Sequence, residues 1–361
     1  MTTWRDIRRL LCVRLDSLGD VLMTTPALRA FRESLPGCHI TLLTSPAGAA
    51  AARYVPEVDE VTVFSAPWMK TAPRPAQEDS SFIEELKDGA FDAAAIFTVY
   101  SQNPLAAAYL CYLAGIPRRL AFCRENPYNL LTDWVPDPEP QQLVRHEVRR
   151  QLALAAAVGC TTRNERLSFR VPDHSRTSIK RLRLRRPYVV VHPGASAPSR
   201  RYPPEGFARA MDLLAAESGC DIVFTGDAGE RALVDSIRGA MACRSRSYAG
   251  RLDLGELGAL VEAASLLVSN NTGPAHVAAA LGTPVVDLYA LTNPQHTPWQ
   301  VASRVLFHDV PCRNCYKSVC PQGHNDCLRR VEPERVAAAA QELLFQANPS
   351  REKRSALTVP C

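Results

Sequence analysis

The sequence predicts an α/β protein built from two Rossmann-like domains. Three observations lead there. Short β-type apolar runs alternate with helical patterns along the whole chain, which signals parallel sheets covered by helices. With 361 residues the chain is too long for one ordinary core and comfortable for two. The alternation is interrupted once, by the polar and basic stretch "PDHSRTSIKRLRLRRP" at 172–187, after which a fresh series begins. We therefore expect a first domain over 1–172, a basic linker over 173–187, a second domain over 188–348, and a disordered polar tail over 349–361.

In the first half, strands are expected at Leu10–Leu15, His39–Leu43, Val61–Phe64, Ala93–Phe97 and Arg119–Phe122, with helices over Val21–Ser34, Ser81–Lys87, Pro104–Ala114 and Arg145–Val158. Residues 66–79 and 124–142 are rich in proline and polar groups and read as loops. In the second half, strands are expected at Tyr188–His192, Asp221–Thr225, Leu266–Ser269 and Val285–Tyr289. The helices there are Pro204–Ser218, Gly229–Met241, Leu254–Ala264, Gly273–Leu281 and Glu332–Phe345. Open α/β sheets bind ligands outside the carboxyl ends of their strands, so the loops after strands are the candidate sites, and a cleft between the domains is the expected ligand position.

Composition narrows the class. The chain is 46% hydrophobic and 22% charged, which argues against disorder. No apolar run approaches the roughly 20 residues of a membrane span. The N-terminal "MTTWRDIRRLLCVRL" reads as a first strand rather than a signal peptide, so a cytoplasmic protein is expected. A net charge of +5 suits anionic substrates or an anionic membrane face and is too weak to indicate nucleic acid.

The first bend, "VRLDSLGDVLMTTPALRAF", places Asp16, Ser17, Gly19 and Asp20 between a strand and a helix. Gly19 allows close backbone approach. Asp20 at the helix mouth can cap free N–H groups, or it can serve as a general base facing the cleft. The absence of a GxGxxG pattern argues against a dinucleotide site here.

Three stretches in the second half bear on a phosphate ligand. "HPGASAPSRRYPPEGF" sets His192, Gly194 and Ser196 beside Arg200 and Arg201, small residues next to forked cations, as a diphosphate requires; a solvated basic loop is the alternative. Glu230, in "DIVFTGDAGE", can reach a ribose hydroxyl or simply be a first-turn helix acid. In "SNNTGPAHVAAALGTPVVDLY", Asn271, Thr272, Gly273 and Pro274 turn directly into a helix whose free N–H groups suit a phosphate, with His276 in its first turn.

Of twelve cysteines, Cys12, Cys38, Cys111, Cys123, Cys160, Cys220 and Cys243 are scattered and read as buried small hydrophobes. Cys312, Cys315, Cys320 and Cys327 are spaced C-x2-C-x4-C-x6-C, with His324 among them. That spacing suits a structural tetrahedral thiolate site for zinc or iron. Local disulfides or reduced thiols packing a loop are the alternatives.

Taken together, the opening bend "VRLDSLGDVLMTTPALRAF" and the loops "HPGAS…SRRYPPEGF" and "SNNTGPAHVAAALGTPVVDLY" resemble glycosyltransferase family 9, the ADP-heptose:lipopolysaccharide heptosyltransferases, over about residues 9 to 345. The resemblance implies the GT-B fold and transfer of a sugar from a nucleotide donor with inversion, without a catalytic metal. It implies that Asp20 is the catalytic base, presented by Ser17 and Gly19. Ser196 then lies near the donor phosphates, and Thr272, Gly273 and His276 form the donor-binding turn. Arg200 stands where many members have a lysine on the leaving diphosphate, and Asn271 where many have an aspartate. The implied partners are a nucleotide-sugar donor and an anionic glycolipid or other glycan acceptor, with peripheral contact at the cytoplasmic face of the inner membrane. A transferase using another nucleotide sugar or a non-lipid acceptor remains open, as does a two-domain binding protein without chemistry.

Overall fold

The computed structural model describes residues 4–69 and 75–346. The expected tail at 349–361 and part of the loop at 66–79 lie outside them. The chain divides into two units between Arg170 and Val171.

The first unit runs β1 (Arg9–Arg14), α1 (Leu18–Ser34), β2 (His39–Thr44), α2 (Pro46–Ala52), β3 (Glu60–Val63), α3 (Gln77–Asp88), β4 (Ala93–Ile96), α4 (Leu105–Leu113), β5 (Arg118–Cys123), β6 (Asp133–Pro136) and α5 (Glu147–Ala156). Its sheet has the order β3-β2-β1-β4-β5-β6, and every pair is parallel. This is a doubly wound sheet whose strand order reverses between β1 and β4, so a crevice opens at the carboxyl ends of those two strands. Both are buried over nearly their whole length, which is why they read as apolar runs.

Helix α1 carries Pro26 in its interior, where proline removes the N–H that would bond the carbonyl of Leu22. That carbonyl accepts instead from the Thr25 hydroxyl at 2.7 Å. Thr25 Oγ1 in turn accepts from the backbone N–H of Ser168 at 2.9 Å, tying the helix to the last segment of the unit.

The second unit runs α6 (Asp173–Arg181), β7 (Tyr188–His192), α7 (Pro204–Ser218), β8 (Asp221–Phe224), α8 (Arg231–Ala240), β9 (Ser245–Ser247), α9 (Leu254–Glu262), β10 (Leu266–Asn270), α10 (Gly273–Leu281), β11 (Val285–Leu288), β12 (Ser303–Leu306), α11 (Asp326–Arg329) and α12 (Pro333–Gln346). Its parallel sheet, β12-β11-β10-β7-β8-β9, repeats the topology of the first, with the reversal between β7 and β10.

Elements beyond the sequence expectation are short or polar. β6 falls inside the segment 124–142 expected as a loop; it is an edge strand ending in Pro136, a position that tolerates proline because one side of the ladder is free. β9 and β12 are edge strands of composition SRS and SRVL with little apolar signal. Within 173–187, the stretch expected as a linker, Asp173–Arg181 is helical; it buries Ser175 and Ile179, and Arg176 pairs with Glu262 of α9 at 2.8 Å. The scattered cysteines are buried, with Cys243 half-buried. Among the described residues no helix is long and apolar enough to cross a membrane.

Candidate active site

In the first unit, β1 delivers Arg14 to the crevice. Arg14 is fully buried and faces three carboxylates: Asp16 at 3.0 Å, Asp20 at 3.1 Å and Glu147 at 2.9 Å. Burial opposes the Arg14 cation, but the three carboxylates outweigh it and raise its pKa above the ordinary value. One guanidinium thus binds the β1–α1 loop, the first turn of α1 and the start of α5.

Asp20 sits in the first turn of α1, whose first residue is Leu18 rather than the expected Val21. Its carboxylate accepts from the Ser17 N–H at 3.1 Å and the Ser17 hydroxyl at 2.6 Å. The capping reading of Asp20 therefore has a structural basis, and its other oxygen is held by Arg14. The side chain keeps 15% exposure, so solvent and a substrate hydroxyl can reach it. Gly19 is buried beneath it and Ser17 is its partner, so the loop-shaping residues and the candidate base form one unit.

Asp16 lies beside it. Gln102, after β4, donates to Asp16 at 2.5 Å and so bridges the two strands that flank the reversal. Burial pushes the Asp16 carboxyl up to about 6 against the pull of Arg14, with Asp20 and Glu147 adding to the rise. A cavity of about 370 Å³ opens here, lined by Leu15, Asp16, Trp68, Phe97, Gln102 and Asn103 among others.

In the second unit, the loop after β7 spans the reversal and is tied down by Asn270 at the end of β10. Asn270 donates to the Pro193 carbonyl at 2.7 Å and accepts from the Tyr202 N–H at 3.0 Å, fixing both ends of the loop. Within it, Ser196 and Arg201 are exposed and Arg200 is half-buried. Arg201 donates to the Ala195 carbonyl at 2.8 Å, while Arg200 lies in the field of the buried Asp287. Burial raises the Asp287 carboxyl well above its ordinary range, and Arg200 and Asn271 offset this only in part.

Glu230 follows β8 and returns to this loop. Its carboxylate accepts from the Asp227 N–H at 2.9 Å, and Asp227 accepts from the Glu230 N–H at 2.9 Å, a reciprocal cap. The helix-acid reading therefore has a structural basis, and the same carboxylate also reaches His192, 3.7 Å away. Burial pulls the His192 pKa down to about 4, with Asp227 opposing, so the ring is neutral at physiological pH.

Helix α10 starts directly at the carboxyl end of β10, with Thr272 as its first flanking residue and Gly273 opening it. The Thr272 side chain makes no capping hydrogen bond. Asn271 turns inward: its amide donates to the His296 carbonyl at 3.0 Å and lies 3.5 Å from Asp287. His276 is buried in the first turn.

The four clustered cysteines and His324 line one small cavity together with Ser199. All four are free of disulfides, and Cys312 Sγ lies 4.0 Å from His324 Nε2. Among the described residues, however, no three ligating side chains converge as a metal ion requires. The expected thiolate centre is therefore without support among the described residues. The segment instead supports the arginine loop: Ser199 donates through its N–H to Ser318 and through its hydroxyl to Lys317, at 3.0 and 2.8 Å, and Asn325 donates to the Arg201 carbonyl at 3.4 Å.

Sequence reasoning brought out Asp20 and the phosphate-type loops but missed Arg14, Glu147, Asn270, Ser199 and Asp287. For Arg14 and Asp287 a signal existed: Arg14 ends a strand whose four preceding residues are apolar and buried, and Asp287 lies inside a fully buried, otherwise apolar strand. For Glu147, which follows Arg14 by 133 residues, there was none.

Comparison with known proteins places these features in context. The sequence profile of glycosyltransferase family 9 (heptosyltransferase) matches residues 80–325. Lipopolysaccharide heptosyltransferase 2 of Escherichia coli is 26% identical over 353 residues, covering 91% of this chain and 96% of the relative. The crystal structure of a family 9 glycosyl transferase from Veillonella parvula superposes with a TM-score of 0.76 at 23% identity, covering 94% of this chain and 97% of that one. The structure of E. coli ADP-heptose lps heptosyltransferase II gives 0.74 at 24% identity, covering 94% and 99%. The architecture shared with these structures is GT-B.

Proposed function

The chain belongs to glycosyltransferase family 9 and is a glycosyltransferase, and on that premise we propose that it moves a heptose from ADP-heptose to a hydroxyl of a lipopolysaccharide-core acceptor, with inversion. The observation that carries the reading is the Asp20 carboxylate, partly exposed at the reversal point of the first sheet and aimed by Arg14. The printed names of the relatives support the donor and acceptor classes.

In this mechanism the first unit binds the acceptor and the second binds the donor. Asp20 accepts the proton of the acceptor hydroxyl as its oxygen attacks the anomeric carbon from the face opposite the diphosphate. The new C–O bond forms while the bond from the anomeric carbon to the phosphate oxygen breaks, and ADP departs with that electron pair. General-base assistance of this type contributes ~10²–10⁴-fold. Arg200 and the N-terminus of α10, with Thr272 and Gly273, stabilise the growing diphosphate charge. Ser196 and Arg201 hold the phosphates, Glu230 meets the ribose, and Asn271 and His276 form the floor beneath the turn. Fixed cations and N–H groups supply the charge stabilisation.

We extend the proposal to peripheral contact with an anionic membrane face in the cytoplasm, where such an acceptor is presented. Lys180, Arg181, Arg183, Arg185 and Arg186 are all exposed within seven consecutive positions and support this.

The test is a transfer assay with ADP-heptose and delipidated core acceptor beside a panel of other nucleotide sugars, with product configuration read by NMR. Inverted heptosyl product from ADP-heptose sustains the proposal. Transfer from a different nucleotide sugar removes the donor assignment, and tight nucleotide binding without turnover points to a binding protein. Co-flotation with anionic but not neutral vesicles checks the membrane contact.

A further inference from the structure

We infer that Glu147 is a positioning residue for the reaction: through Arg14 it aims the Asp20 carboxylate and sets how tightly that carboxylate holds a proton. The inference rests on Asp20 being the base. Glu147 has no solvent-exposed side-chain surface, so it cannot touch substrate and can act only through its neighbours.

Those neighbours include Arg14, Gln151 and, through Arg14, Asp16 and Asp20. Arg14 on β1 splits its guanidinium among Glu147, Asp16 and Asp20, so one cation serves three acids. On α5 itself, Gln151 donates to Glu147. Gln151 also donates to the Thr98 carbonyl after β4, at 3.1 Å, as does Arg150, at 2.9 Å. Arg150 is otherwise occupied by Asp137 at 2.8 Å and Glu139 at 2.7 Å, so its charge is largely spent elsewhere. Glu147 therefore stands at the joint between α5, the end of β4 and the catalytic bend. Fixed at one end by Gln151, it leaves Arg14 a single direction in which to present its remaining N–H groups.

The electrostatic consequence follows from charge counting. Each carboxylate that shares Arg14 reduces the net positive field that Arg14 exerts on Asp20. Burial, with Asp20 adding to it, raises the Glu147 pKa above the ordinary glutamate value, and the coupling is reciprocal. Neutralising Glu147 leaves Asp20 alone with Asp16 on the cation, makes it more acidic, and weakens it as a base.

Glu147→Gln is nearly isosteric and keeps an acceptor for Arg14, so it separates charge from shape. We expect the acidic limb of the kcat/KM–pH profile to move at least half a unit lower, with kcat at neutral pH reduced fivefold or more and both KM values within twofold. Glu147→Asp retains the charge and should leave the limb in place while lowering kcat through misalignment. An unmoved limb with unchanged kcat in Glu147→Gln overturns the inference; so does a lower melting temperature with unaltered kinetics. If Glu147→Gln does not fold, Glu147→Asp decides alone, and a kcat equal to the parent's ends the idea. Asp20→Asn in the same assay distinguishes the two levels. Near-parental activity there removes the base itself, whereas an inactive Asp20→Asn beside an unmoved Glu147→Gln limb removes only the role of Glu147.

Discussion

The carboxylate of Glu230 lies against Gly194, where the Cβ of any other residue would come within 1.8 Å of it. Glycine at 194 thus leaves room for the end of a side chain 36 positions away. Gly194→Ala shifts the carboxylate end of Glu230 and so perturbs its bond to the Asp227 N–H. Losing half of a reciprocal cap costs about 1 kcal/mol. We expect a melting temperature lower by a few degrees together with a clear loss of ADP affinity, read by thermal scanning and calorimetry. Unchanged ADP affinity would place Glu230 outside the donor site.

Asp20→Asn should fold, because asparagine still accepts from Ser17, and should bind ADP normally. Transfer should fall ~10²-fold or more. A rate within a few-fold of the parent leaves Asp20 with its capping role alone.

Arg200 and Arg201 should separate in a mutant pair. Arg201 is tethered to the Ala195 carbonyl, so Arg201→Ala loosens the loop and raises the donor dissociation constant several-fold. Arg200→Ala removes the cation proposed to face the diphosphate and should slow single-turnover transfer ~10²-fold or more. Equal effects of the two on the chemical step would argue against this division.

His192 predicts an acid limb in stability. Its folded pKa is near 4, below the ordinary value, so between those values the unfolded chain binds a proton that the folded chain refuses. Stability therefore falls as pH drops from about 6.5 toward 4, by up to about 3 kcal/mol. Urea melts of His192→Asn across this window should show a flatter pH dependence than the parent; parallel curves would contradict it.

Legibility in the sequence followed burial. Strands such as Tyr188–His192, covered on both faces, announce themselves as apolar runs, whereas Ser245–Ser247 and Asp133–Pro136 lie at sheet edges and look like loop. Asp20, in the first turn of the helix after β1, and Arg200, in the loop after β7, follow strands, where position alone marks them. Arg14 carried a faint mark as a charge in an apolar strand. Glu147 carried none, because its meaning depends on a contact across 133 residues. The cysteine spacing suggested a metal, yet what the structure displays is backbone support for a neighbouring loop through Lys317 and Ser318.

That support changes where variation in this enzyme can act. The arginine loop has little regular structure of its own and takes its shape from Asn270 on one side and the 312–327 segment on the other. Directed evolution of donor preference need not touch a phosphate contact at all. Remodelling the cysteine segment would alter the two carbonyls that hold Ser199, the neighbour of Arg200, while Asp20 lies in the other unit. The segment is a bracket for this loop, and on the proposed donor role of the loop, exchanging it between homologues should alter nucleotide-sugar selectivity.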